Sequence, residues 1–250
     1  MKCTIITVSY NAVDTIESTI NSVLSQDYND IEYIIIDGNS SDGTKEVIQK
    51  YSDRITKWIS EKDNGIYDAM NKGIHMATGD IIGILNADDL YANNHTLSNI
   101  VSQFIQKNAD ALYGDLKYVL KNDISKTIRY WKSGEYSQGK FLKGWMPPHP
   151  TFFVKKSIYN QFGLYRTDMP SAADYELMLR YIHVNNINVT YYPELITIMR
   201  EGGVSNKSLL NRWKANRDDL RAWQVNNVKP NTFTLIMKPL SKLIQFVLKN

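Results

Sequence analysis

Three runs in this chain, residues 4–9, 32–37 and 81–85, are apolar and rich in β-branched residues without alternation. A strand with one wet face alternates, whereas a strand buried on both faces does not. Segments with helical spacing separate the runs. Ile16, Ile20, Val23 and Leu24 form one stripe, with Asp14 placed to cap it; Thr44 opens a second helix; a third covers roughly residues 66–77 and is closed by Gly79. A short strand is expected near Trp58 and Ile59. Strands that alternate with helices and are apolar on both faces require an α/β fold, with a mainly parallel central sheet flanked by helices.

Past about residue 110 the pattern changes. Short strand-like pieces at 111–114 and 118–120 lead to an aromatic, proline-rich loop at 144–150. Residues 151–154 read as a strand, 174–181 as a helix, 188–192 as a strand, and the chain from Asn206 onward as helical. With 250 residues, 43% hydrophobic and 22% charged, the chain suits one large domain with appendages. A net charge of +3 without a basic stripe excludes an obvious nucleic-acid binder. Cys3 stands alone, so neither an intrachain disulfide nor a thiolate zinc cage is available, which fits a reducing compartment. Residues 1–12 enter a strand directly and lack the longer apolar core of a signal peptide. No apolar stretch reaches the roughly 20 residues of a bilayer span.

In open parallel sheets, ligands bind beyond the carboxyl ends of the strands. Here those ends read Ser9-Tyr10-Asn11, Asp37-Gly38-Asn39-Ser40 and Asn86-Ala87-Asp88-Asp89. Adjacent carboxylates such as Asp88 and Asp89 repel each other and are costly to desolvate without a cation. They suit magnesium or manganese held against substrate phosphates; a solvated loop, or a cap for a helix after Leu90, fits the spacing too. Asp37, Asn39, Ser40, Asp42 and Gly43 can bind a base or ribose, or simply build an Asx turn. Tyr10 can stack on a base or pack on the rim. Asp174 and Glu176 open a helix whose dipole favours negative charge, or they include a general base. His149, in Pro147-Pro148-His149-Pro150, is a structural loop residue unless a ligand reaches it.

Taken together, the segments resemble family 2 glycosyltransferases of the GT-A fold, from residue 4 to about 91 and again over 148–180. The matching pieces are Thr7-Val8-Ser9-Tyr10-Asn11, residues 36–44, residues 79–89 and Ala173-Asp174-Tyr175-Glu176. The stretch 61–74, Glu-Lys-Asp-Asn-Gly-Ile-Tyr-Asp-Ala-Met-Asn-Lys-Gly-Ile, resembles the branch that builds capsule, exopolysaccharide and O-antigen, of the colanic-acid type. The resemblance implies a GT-A catalytic domain over 1–205, with a nucleotide-sugar-binding half (1–110) and an acceptor-side half (111–205), and a helical carboxyl-terminal extension over 206–250. It implies that Tyr10 stacks on the donor's base, that Asp37 contacts base or ribose, and that Asp63 and Gly65 lie under the nucleotide. Ser9, Asn11, Asn39 and Asn86 complete the donor site. Asp88, with Asp89 in support, would hold manganese or magnesium; Asp174 would be the catalytic base; Trp145, His149 and Glu176 would face the acceptor.

The sequence departs from the family pattern at three places. Asn86 stands where the metal motif's first carboxylate is expected, Ala173 precedes the base in place of an acidic residue, and Gly38 replaces an acidic residue next to Asp37. The implied reaction is a single inverting displacement from a nucleotide-sugar, UDP-linked by preference, to a glycan or polyprenyl-diphosphate-linked acceptor in surface polysaccharide assembly. The apolar and lysine-bearing segment 233–249 fits a peripheral helix on an anionic membrane or a helix packed on the core. The expected location is the cytoplasm, against the inner face of the plasma membrane. A nucleotidyltransferase is the competing enzyme reading, but residues 9–14 supply no Lys or Arg for a triphosphate. Asp174 and Glu176 are too close in sequence to flank a glycosidic bond as a hydrolase pair. A dinucleotide oxidoreductase lacks its glycine motif after the first strand. A non-catalytic sugar-binding protein would have no need of Asp174.

Overall fold

A computed structural model describes residues 1–202, 209–231 and 234, and of residues 209–216 the backbone alone. The three both-face apolar runs are the strands β1 (Cys3–Ser9), β2 (Ile31–Asp37) and β4 (Ile81–Ile84). With β3 (Lys57–Ser60) they lie parallel in the order β3-β2-β1-β4. Their helices are α1 (Ile16–Leu24), α2 (Thr44–Gln49) and α3 (Ile66–Met76). Ile6, Val8, Ile34, Ile36, Ile82 and Ile84 pack to one side with Met70 and Ile74 of α3. Ile5, Tyr33, Ile35 and Ile81 pack to the other with Ile16 and Ile20 of α1. Both faces are buried, as the unbroken apolar runs require.

The second half of the chain extends the same sheet but mixes its directions. β5 (Leu90–Tyr91), β6 (Ala111–Leu120), β7 (Asp123–Trp131), β8 (Phe153–Lys155) and β9 (Val189–Arg200) continue the order as β4-β8-β6-β9-β5, with β7 paired to β6. β8 is antiparallel to β4 and to β6, β9 is parallel to β6, and β5 is antiparallel to β9. The helices here are α4 (Thr96–Lys107), α5 (Lys156–Phe162), α6 (Ala173–Met178), continued by a wider π-helical turn over Leu179–Val184, and α7 (Leu209–Val225). α7 docks on α6 through Trp223 Nε1, which donates to Tyr175 Oη at 2.9 Å. The amphipathic segment 233–249 lies, Thr234 apart, outside the described residues.

Several local expectations are corrected. Asp14 does not cap α1: Thr15 holds the cap position and its hydroxyl is drawn to the Ala12 carbonyl. α3 ends at Met76 with Ala77 in the cap position, so Gly79 does not close it. Gly79 is required for closeness instead, since a Cβ there would lie 2.5 Å from Thr4 Oγ1 and 2.9 Å from the Lys2 carbonyl oxygen. Leu90 starts a strand, so Asp88 and Asp89 cap no helix. The two pieces at 111–120 are one strand, and the strand expected at Thr151 begins at Phe153, after a 3-10 turn over His149–Thr151.

The amino edge of the sheet is locked by a buried carboxylate, Glu32. It accepts from Thr4 Oγ1 (2.7 Å), from the Thr78 amide (2.6 Å) and from Thr78 Oγ1 (2.8 Å), with Lys2 Nζ at 3.5 Å. Burial raises its pKa, but these donors and Lys2 outweigh it and pull the value down to about 2. The stability this adds is present above the ordinary value of 4.5 and is lost as pH falls through about 2. Glu32→Gln should therefore cost about 2–3 kcal/mol at neutral pH. In urea melts that gap from wild type should close between pH 4.5 and 2; a gap independent of pH would contradict the assignment.

Candidate active site

At the opposite, carboxyl edge, three strand ends meet on Asp37, which is fully buried. Its Oδ1 accepts from Ser9 Oγ of β1 (3.0 Å) and Ser40 Oγ (2.5 Å); its Oδ2 accepts from the Ser40 amide (2.9 Å) and Ser60 Oγ of β3 (2.7 Å). The loops beyond are knitted by the same kind of bond. Ser40 Oγ accepts from the Asn11 amide (2.8 Å), Asn11 Oδ1 accepts from the Ser41 amide (3.0 Å), and Thr44 Oγ1 accepts from the Ala12 amide (2.8 Å). Asn11 and Asn39 sit in left-handed backbone conformations, at φ of 48° and 63°, which asparagine tolerates better than most residues. Both are exposed, and Asn39 Oδ1 accepts from Lys45 Nζ. Asp37 thus spends its carboxylate on its own framework, and a ligand would meet the loop it holds.

Tyr10 stands out from this framework at 68% exposure. Gly38 lies between it and Asp63: a Cβ at Gly38 would fall 3.3 Å from Tyr10 Cδ2 and 2.5 Å from Asp63 Oδ2. The glycine that departs from the family pattern therefore makes room for the Asp63 carboxylate beside the Tyr10 ring. Asp63 Oδ1 accepts from the amide of Gly65, whose φ of 111° suits only glycine, and this turn starts α3.

The β4 end carries Asn86, Asp88 and Asp89. Asp89 is fully buried; Asn86 Nδ2 donates to its Oδ2 at 3.1 Å, and Thr19 Oγ1 donates to its backbone carbonyl at 2.9 Å. Asp88 is half-buried. Burial raises the pKa of both acids, and that of Asp89 rises far, with Asp88 beside it as the next cause. Arg200, at the end of β9, supplies opposing charge. Its Nη1 donates to the Asp88 carbonyl at 2.7 Å and its Nη2 to Ser18 Oγ at 3.1 Å. No feature of the sequence pointed to Arg200, which is brought there by the pairing of β9 with β5.

Among the described residues no three His, Cys, Asp or Glu side chains gather into a metal cage. The donors present do fit a hard cation shared with a diphosphate. Asn86 Oδ1 and Asp89 Oδ1 are buried oxygens without a hydrogen-bond donor, next to the Asp88 carboxylate. Magnesium and manganese commonly take one or two carboxylates and leave their other positions to phosphate and water.

Asp174, in the first turn of α6, is partly exposed and its Oδ1 accepts from Tyr67 Oη at 3.1 Å. Tyr118 of β6 carries the Arg129 guanidinium 3.9 Å from its ring centroid and lies within electrostatic reach of both Asp89 and Asp174. His149 is buried, its Nε2 is 2.7 Å from Tyr165 Oη, and burial lowers its pKa although Asp174 is near enough to oppose this. Trp145 is half-buried in an aromatic cluster with Tyr113, Tyr136 and Phe141, and its Nε1 donates to the Ser133 carbonyl. Glu176 does not join the site. It is 1% exposed and its two oxygens are bridged by Arg180 Nε and Nη2 at 3.0 and 2.9 Å, with Asn226 Nδ2 a further donor. Two residues along a helix point to different sides, so Asp174 and Glu176 could not share a face.

The Glycosyl transferase family 2 profile matches residues 4–164. Over 185 residues the chain is 30% identical to the UDP-Glc:alpha-D-GlcNAc-diphosphoundecaprenol beta-1,3-glucosyltransferase WfgD of Escherichia coli, covering 74% of this chain and 71% of that protein. Its fold is that of S. aureus TarS (residues 1–349, solved with UDP-GlcNAc), with a TM-score of 0.69 at 16% identity; the match spans 90% of this chain but only 65% of that one. It is also that of the mannosyltransferase PcManGT of Pyrobaculum calidifontis, solved with GDP-Man and Mn2+, with a TM-score of 0.66 at 18% identity, over 97% of this chain and 69% of that one.

Replacing Asp89 by Asn removes a buried carboxyl whose ionisation both burial and Asp88 oppose, and keeps an amide of the same shape beside Asn86. Without divalent metal, Asp89→Asn should raise the melting temperature by a few degrees, at roughly 2–4 °C per kcal/mol for a chain of this size. A fall in melting temperature in metal-free buffer would contradict the strain assigned to this pair.

Proposed function

The chain belongs to glycosyl transferase family 2, and from this edge of the sheet we propose that it moves a hexosyl unit from a UDP-sugar to an acceptor hydroxyl with inversion. The observation that carries the reading is the meeting of the Asp37-ordered loops, the acids at the β4 end and Asp174 on one side of the sheet, Asp89 and Asp174 both lying within electrostatic reach of Tyr118. In this reading residues 1–110 take the donor, with the base on Tyr10 and the Asp63–Gly65 turn beneath it. Ser9 and Asp37 act through the loop they brace, which presents Asn11 and Asn39. The acceptor side lies within 111–205, where Trp145 and His149 shape the wall and Glu176 braces α6 through Arg180.

Asp174 accepts the proton of the acceptor hydroxyl as the oxygen's electron pair forms the bond to the anomeric carbon. The bond from that carbon to the diphosphate breaks on the opposite face and UDP leaves with its electron pair, so no covalent enzyme intermediate forms. Asp88, backed by Asn86 and Asp89, would hold a manganese or magnesium ion, which when bound offsets charge on the diphosphate. Arg200 fixes the Asp88 backbone in place whether or not the ion is there. In-line positioning of two bound reactants is worth about 7–11 kcal/mol in good cases.

The name of WfgD, a diphosphoundecaprenol-linked substrate, supports a polyprenyl-diphosphate-linked or glycan acceptor in surface polysaccharide assembly. A lipid-linked acceptor would place the work at the inner membrane face, to which residues 233–249 would bring the chain. No helix among the described residues is long and apolar enough to cross a membrane. A nucleoside diphosphate panel tests the donor assignment: UDP with manganese should raise the melting temperature, and Asp88→Ala should abolish the manganese-dependent part. Asp174→Asn should keep that shift and lose about 10²–10⁴ in turnover. No shift with any nucleotide would sink the proposal.

A further inference from the structure

The stretch 61–74 is only partly explained by the nucleotide. Tyr67 and Asn71 lie one turn apart on α3, and both reach far along the chain. Tyr67 Oη donates to Asp174 Oδ1 at 3.1 Å. Asn71 grips the backbone of Tyr165 from both sides: its Nδ2 donates to the Tyr165 carbonyl at 2.8 Å, and its Oδ1 accepts from the Tyr165 amide at 3.0 Å. The Tyr165 ring stacks on Tyr67, with centroids 5.6 Å apart and planes 19° apart, and its hydroxyl meets His149 Nε2 at 2.7 Å. The Tyr67 ring is thus held from behind, with its hydroxyl on the carboxylate.

We propose that Tyr67 is a positioning residue for Asp174: it occupies Oδ1, fixes the plane of the carboxylate and leaves Oδ2 to the acceptor hydroxyl. The inference rests on Asp174 being the base. Burial, then the neighbouring Asp174, push the Tyr67 pKa well above its usual value, so the phenol remains a donor over the working range. The other groups facing Asp174 are His149, which burial keeps neutral, and Tyr165 and Tyr118, whose pKa values burial raises. None of them changes charge where a carboxylate titrates without first leaving its buried site.

The test reads the carboxylate itself. Carbon-13 NMR of the full chain labelled at aspartate side-chain carboxyls gives the Asp174 midpoint, its signal assigned by its loss in Asp174→Asn. Tyr67→Phe keeps the stacked ring and should move the midpoint up by about one pH unit. Turnover of UDP-glucose, with water or a synthetic GlcNAc-diphosphate lipid as acceptor, should fall about tenfold, while UDP binding stays as in wild type. Should Tyr67→Phe fail to fold, 3,5-difluorotyrosine placed at position 67 keeps the shape and donates more strongly, and the midpoint should then move down. A midpoint unmoved in whichever variant folds overturns the inference and leaves the base assignment standing. An Asp174→Asn enzyme with undiminished turnover overturns the base assignment, and the positioning role with it.

Discussion

Everything at the functional edge hangs on one buried carboxylate. Asp37 ends β2 and accepts four hydrogen bonds, from Ser9 at the end of β1, from Ser60 at the end of β3 and twice from Ser40 in its own loop. A carboxylate without access to water is tolerable only when hydrogen bonding replaces the lost hydration. Here that requirement joins three parallel strands at one height and fixes where the loops after β1 and β2 begin. Removing one donor leaves a buried charge short of a partner, a cost of the order of 1–3 kcal/mol, so the cluster is expected to hold or fail as a unit.

From that anchor the two halves of the chain contribute different things. The parallel half offers backbone loops, an exposed Tyr10 and the Asp63 turn. The mixed half delivers side chains across the sheet: Arg200 from β9 to the Asp88 carbonyl, Tyr118 from β6 within electrostatic reach of Asp89 and Asp174, and Asp174 itself from α6. α3 spans both, since its first turn follows the Asp63 turn while Tyr67 and Asn71 face Asp174 and Tyr165. The two halves of the edge are therefore mechanically joined through one helix.

Much of this was legible in the sequence because parallel strands covered on both faces leave unbroken apolar runs, and their carboxyl ends are where polar residues stand out. Asp37, Asp88 and the Tyr10 loop could be found that way, while Asp174 needed the family resemblance to be told from an ordinary acidic first turn. What could not be read depends on distance or on surroundings. Arg200 lies 112 positions from Asp88 and reaches it only by strand pairing. β7, half-exposed and polar, gives no apolar run. α4 carries a signal of its own, Leu97, Ile100, Val101 and Phe104 at helical spacing. Glu176 resembled Asp174 in sequence, and only the fold separates them, pairing Glu176 with Arg180 while Asp174 stays partly exposed beside Tyr67.

The central claim is that the Asp37-ordered edge seats the donor, with its diphosphate at Asp88. A crystal structure of the protein with UDP and manganese tests it most directly. Uracil should lie against Tyr10 and the Asp63 turn, with the metal on Asp88, the diphosphate on the metal and Asp174 left free to meet an acceptor. UDP bound elsewhere, or bound at this edge with its diphosphate away from Asp88, would contradict it.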